Sequence, residues 1–213
     1  MSAMPESEGI TYLALGDSYT IGEKVDQSHR WPVLLSEKLN SLGLPLRSPE
    51  IIAVTGWTTD ELLAGVEASG KKGTYGLVSL LIGVNNQYRG RPIDEFRRDF
   101  RKLLRVSLRF AGDSQTRVIV LSIPDWGVMP FAESRDRQKI AGEIDRFNEV
   151  KREETEKMGI RFFDVTGISR AASADSSLIA SDGLHPSGAM YRLWVDQIAG
   201  DVLALLNGRP DEQ

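Results

Sequence analysis

The sequence contains no cysteine. That excludes a disulfide framework, a thiolate metal site and a cysteine nucleophile, and it fits any redox compartment. Histidine is scarce: His29 and His185 are the only two. With no third ligand at useful spacing to "DGLH", a metal hydrolase finds little support and no metal site is read. No apolar stretch approaches the ~20 residues needed to span a bilayer, so no membrane insertion is expected. Long basic runs are missing as well. The chain has 26 basic against 30 acidic residues and a net charge of −4. It therefore lacks the electrostatic footprint of a nucleic-acid binder. Neither G-x-G-x-x-G nor a Walker A pattern occurs, which argues against a nucleotide or phosphate binder. The N-terminal "MSAMPESEG" lacks the basic and apolar regions of a secretory leader, so a cytoplasmic location is expected.

What is present suffices for one core. The chain has 213 residues, 41% hydrophobic and 26% charged, room for a single domain rather than two. We assign that domain to residues 10–207. Residues 1–9 read as a disordered or cloning-derived segment and 208–213 as a tail. Five apolar runs read as strands, at 10–16, 49–56, 75–83, 116–124 and 160–166. Several are nearly continuous, as in parallel strands covered on both faces. Between them lie helical patterns over 31–42, 93–111 and 132–158, and a last helix expected to start at Pro186 and end near Gly208. In "TGWTTDE", Thr58 and Glu61 have the spacing of a capping box and start another helix. Strand and helix alternating along the chain mean an α/β fold, a parallel sheet with helices on both faces. Such sheets bind ligands beyond the carboxyl ends of their strands.

Small polar clusters stand at those ends. "GDSYTIGE" follows the first run and places Ser18 after Gly16, read as permitting a tight turn. Gly56 precedes the capped helix, where free N–H groups can meet an oxyanion. "GVNNQYRG" offers Asn85 or Asn86, and "IPDWGVMPF" offers Asp125 and Trp126. "SDGLHPSG" places Asp182 three residues before His185. Taken singly, each cluster also reads as ordinary turn chemistry. Their joint placement after successive strands is what points to a site. A serine hydroxyl needs a base to become a nucleophile. His185, with Asp182 to orient it, is read as the base, and His29 as a polar residue at the entry to the first helix. Donors for an oxyanion are available from the Ser18 and Gly56 N–H groups and the Asn85 amide.

The ordered blocks resemble the SGNH hydrolases, also called the GDSL lipase/esterase family: Ser18 in "GDSY", Gly56 in "TGWTTDE", Asn85 in "GVNN" and His185 in "DGLHP". The resemblance spans roughly residues 10–206. It implies a three-layer α/β/α sandwich of flavodoxin-like type with a five-stranded parallel sheet. It implies Ser18 as nucleophile, His185 as base, Asp182 as its orienter, and Gly56 and Asn85 joining Ser18 in the oxyanion hole. Ester hydrolysis through an acyl-enzyme follows, with no metal or organic cofactor. Two positions depart from the family pattern: Tyr19 replaces the leucine of the family name, and Asn86 stands where many members carry aspartate.

Fold and triad do not set the substrate. The expected partner is a small-molecule ester, with a short-chain acyl or acetyl group favoured because no lid-like apolar insertion is visible. A lysophospholipase or thioesterase-type acyl hydrolase, or a silent ligand-binding protein on the same fold, are the alternatives. Trp57 and Trp126 are candidates for the pocket rim, with core packing as the alternative for either. Tyr88 and Arg89 are candidates for a polar contact, or members of a solvated loop. Oligomeric state is not readable.

Overall fold

The computed structural model of the protein describes residues 9–208. Apart from Gly9 and Gly208, the expected N-terminal segment 1–9 and the tail 208–213 lie outside the described residues.

Five strands form where the apolar runs predict them: β1 Tyr12–Gly16, β2 Glu50–Ala53, β3 Leu77–Leu81, β4 Val118–Leu121 and β5 Arg161–Phe163. All neighbours pair in parallel, in the order β2-β1-β3-β4-β5. β1, β3 and β4 are buried along their whole length. Covered on both faces, they are built from Leu, Val, Ile and Ala rather than from an alternating pattern. The Tyr12 hydroxyl, inside this apolar layer, meets Ser79 Oγ of the adjacent strand at 2.9 Å.

The helices are α1 Ser18–Ile21, α2 Trp31–Ser41, α3 Thr59–Ala68, α4 Val84–Tyr88, α5 Ile93–Phe110, α6 Arg137–Lys157, α7 Thr166–Arg170 and α8 Gly188–Leu206. α2 packs against α8, while α3, α5 and α6 pack in series. Right-handed crossovers put these two groups on opposite faces of the sheet. The result is a three-layer sandwich of flavodoxin-like strand order. The capping box forms as expected: the Thr58 N–H donates to Glu61 Oε2 at 2.8 Å at the start of α3.

Three local expectations need correction. The pattern over 132–158 becomes helical only at Arg137, because Asp136 accepts the Lys139 N–H at 2.9 Å and the residues before it form tight turns. The last helix begins at Gly188, two residues after Pro186, because the Ser187 hydroxyl caps the N–H groups of Ala189 and Met190. Gly16 is not in a left-handed turn. It ends β1, and a Cβ there would collide with the Thr20 side chain and the Leu81 carbonyl. Its role is close approach of the β1 end to the neighbouring β3 and to Thr20.

This order places a topological switch point between β1 and β3. From β1 the chain crosses to β2 on one side, and later returns to β3 on the other. A crevice opens at the carboxyl ends of β1 and β3, where α1 and α4 begin.

Candidate active site

Ser18 is the first residue of α1, directly after β1, and is buried. Asp17 caps this short helix by accepting the Tyr19 N–H at 3.1 Å. As a first-turn residue, Ser18 has an N–H with no acceptor inside its own helix. Ser18 Oγ and the His185 ring line the same pocket without a hydrogen bond between them among the described residues.

Asp182 and His185 sit in the loop before α8. One oxygen of Asp182 accepts the backbone N–H groups of Leu184 and His185, each at 3.0 Å. The other lies 2.6 Å from His185 Nδ1. A carboxylate only accepts, so Nδ1 carries a proton in this contact, which leaves Nε2 as the ring nitrogen not engaged by Asp182. Partial burial pushes the Asp182 carboxyl up, but the hydrogen bonds from the His185 ring and the two N–H groups outweigh it and hold the carboxyl below its ordinary range. The Tyr19 ring meets the imidazole edge-on, with centroids 5.9 Å apart.

Ser18, His185 and Asn85 line one pocket of about 200 Å³, together with Tyr19, Val84, Tyr88, Trp126, Phe131 and Leu184. Pockets that hold drug-sized ligands run to ~300–1,000 Å³, so this one is small. Asn85, in the first turn of α4, donates from Nδ2 to the Trp57 carbonyl at 3.0 Å. That bond occupies one of its two amide hydrogens and ties the β3 loop to the β2 loop.

Gly56 is in the left-handed region at φ +90°. Its carbonyl accepts Arg89 Nη2 at 2.6 Å, and Arg89 also pairs with Glu61. Gly56 lies outside the residues that line the pocket. Trp57 is outside it too: its ring lies over Gly65 of α3, where a Cβ would collide with the indole. Trp126 does line the pocket, and its Nε1 donates to Gln87 Oε1 at 2.8 Å. Asp125 is spent on structure, accepting the Gly127 N–H at 2.8 Å and pairing with Arg170 at 2.9 Å. Asn86 is buried and pairs reciprocally with Thr59. Its Oδ1 accepts the Thr59 N–H at 3.1 Å and its Nδ2 meets Thr59 Oγ1 at 2.9 Å. His29 packs against Gly188 at the start of α8.

Lys151 was not legible as part of this region. It is completely buried on α6, and its Nζ donates to the carbonyls of Ile82 at 2.9 Å and Leu121 at 2.7 Å, where β3 and β4 end. Burial pulls the ammonium down to about 7, partly offset by the negative charge of Asp17. Burial pushes Asp17 up to about 7, offset by the Tyr19 N–H and then by Lys151. One signal was available: Ile140, Ile144, Phe147 and Lys151 share one helical face, so the lysine occupies a core position.

Among the described residues, no cluster of three or more His, Asp or Glu could hold a metal ion, and no helix is long and apolar enough to cross a membrane.

A serine, a His–Asp pair and an asparagine thus gather at the switch point of a doubly wound sheet, where such folds bind their ligands. The chain belongs to the GDSL-like lipase/acylhydrolase family, whose sequence profile matches residues 14–193, and is an ester-hydrolysing enzyme. Its fold is similar to the crystal structure of TesA, at 20% identity and TM-score 0.71 over 92% of this chain and 99% of that one. It is also similar to the psychrotrophic esterase EstA from Pseudoalteromonas sp., at 19% and 0.69 over 92% and 98%. A third is Axe2, an acetylxylan esterase from Geobacillus stearothermophilus, at 18% and 0.69 over 91% and 94%. At these identities the likeness is one of fold. No curated protein matches the chain.

Proposed function

We propose that the protein hydrolyses a short-chain carboxylic ester through an acyl-enzyme on Ser18. The observation that carries this reading is the 2.6 Å contact between Asp182 and His185 Nδ1, in a loop that brings the imidazole to the pocket of Ser18. His185 Nε2 takes the Ser18 proton as Oγ attacks the ester carbonyl. The ionised Asp182 stabilises the imidazolium that forms. The tetrahedral oxyanion is met by the Ser18 N–H, the second Asn85 amide hydrogen and the Gly56 N–H, which has no acceptor among the described residues. Imidazolium then protonates the leaving alcohol. Water, activated by the same base, releases the acid and restores Ser18.

The acyl group enters the small pocket walled by Val84, Tyr88, Trp126 and Phe131. Its volume favours acetyl or another short chain over a long fatty acyl chain. In this reading the enzyme acts in the cytoplasm on a small-molecule ester, with neither nucleic acid nor membrane insertion involved.

The test is hydrolysis of p-nitrophenyl esters from acetate to palmitate, with Ser18→Ala alongside. The expected result is a peak among the short esters that disappears in the variant. A folded protein inactive on every ester, or an active Ser18→Ala, contradicts the reading.

A further inference from the structure

One side chain outside the pocket touches three of the residues that wall it. The guanidinium of Arg135, in the bend before α6, lies over the rings of Tyr88, Trp126 and Phe131, at 5.2, 5.4 and 5.2 Å from their centroids. Its Nη2 also donates to the Tyr88 hydroxyl at 3.2 Å. Arg135 forms no ion pair among the described residues, so its charge is directed at the rings.

The three rings are not equally anchored. Trp126 is buried and fixed by its bond to Gln87. Tyr88 and Phe131 are 47% and 42% exposed. They touch Trp126 at centroid distances of 5.4 and 6.1 Å and each other at 6.5 Å. The Phe131 backbone is tied through its N–H to the Gly183 carbonyl at 3.0 Å, within the loop of Asp182 and His185. Its ring has no such tie. The outer wall of the pocket is thus two half-exposed rings held to one fixed ring, with a cation bridging all three.

We propose that Arg135 is a specificity-determining positioning residue that clamps the aromatic wall shut and so limits the length of acyl chain accepted. The proposal rests on the reading that this pocket takes the acyl group. With the clamp in place the outer rings stay against Trp126 and the pocket keeps its small volume. Without it Tyr88 and Phe131 can swing towards solvent, and the pocket lengthens into an open apolar groove.

The experiment measures kcat/KM on p-nitrophenyl acetate, butyrate, hexanoate and octanoate for the wild type, Arg135→Ala, Arg135→Lys and Phe131→Ala. Arg135→Ala is expected to raise the octanoate-to-acetate ratio by roughly tenfold, the order of discrimination set by one methylene in an apolar pocket. Arg135→Lys, which keeps the charge and loses the planar fork, falls between it and the wild type. A ratio unchanged in Arg135→Ala but shifted in Phe131→Ala overturns the clamp while leaving the acyl pocket in place. A ratio unchanged in both removes the acyl pocket and the clamp together. A uniform loss on all four esters in Arg135→Ala marks a purely structural role and also overturns the proposal.

Discussion

Lys151 Nζ lies 2.9 Å from the Ile82 carbonyl, so an ammonium group from α6 closes the end of the strand that leads to Asn85. The lysine is completely buried, and Asp17, equally buried, caps the helix that begins with Ser18. The arrangement makes stability depend on pH. Burial lowers Lys151 from 10.5 to about 7. Between those values the unfolded chain holds a proton that the folded chain has released, so Lys151 makes stability rise with pH. Lys151→Met removes that contribution. In urea unfolding, the stability difference between wild type and variant should move in favour of the wild type as pH rises from 7 to 10, by about 1 kcal/mol per unit. A pH-independent difference would show that Lys151 does not titrate in that range.

On the proposed mechanism nucleophile and base act as one unit, so Ser18→Ala and His185→Ala should each lower kcat by roughly 10⁴-fold or more. The double variant should be little worse than either single one. Thermal unfolding checks that the fold survives. A double variant whose loss is the product of the two single losses would indicate that the residues act independently.

Asn85→Ala should lower kcat by roughly 10²-fold with a smaller change in KM, because the oxyanion exists only along the reaction path. Steady-state kinetics on the preferred ester separates the two parameters. An effect confined to KM would place Asn85 in ground-state binding instead. Some loss of stability should accompany it, as the Trp57 carbonyl then loses its donor.

Asn86 tests the departure from the family's usual aspartate. It bonds both the N–H and the hydroxyl of Thr59 at the start of α3. Asn86→Asp keeps an acceptor for the N–H, and Thr59 Oγ1 can turn to donate. An anion is also favoured at a helix N-terminus. Stability should therefore change by less than about 1 kcal/mol. Asn86→Leu leaves both Thr59 groups without their partner and should cost about 2–3 kcal/mol. Chemical denaturation of the two variants measures the contrast, and equal losses would remove the hydrogen-bond explanation.

The order of elements was legible because burial on both faces leaves strands such as "YLALG" and "LVSLL" almost without polar residues. The capping box was legible because both partners lie within one turn. Asp182 and His185 could be paired for the same reason, at three residues apart. The helices begin at Arg137 and Gly188, later than the apolar periodicity predicts, because the caps Asp136 and Ser187 set the boundary locally.

By itself, then, the sequence determined the alternation of strands and helices and the short-range polar pairs. Both are properties of neighbours along the chain, governed by burial period and turn chemistry. Tertiary structure alone decided which distant residues share a pocket. Trp57 and Trp126 both stood beside a loop after a strand. Only packing turned one over Gly65 and the other onto the wall with Phe131. The helical face of Lys151 marks a core position, but only the docking of α6 on the sheet supplies the two strand-end carbonyls that its ammonium meets. A contact between residues far apart in sequence depends on how whole layers dock, and local composition does not encode that geometry.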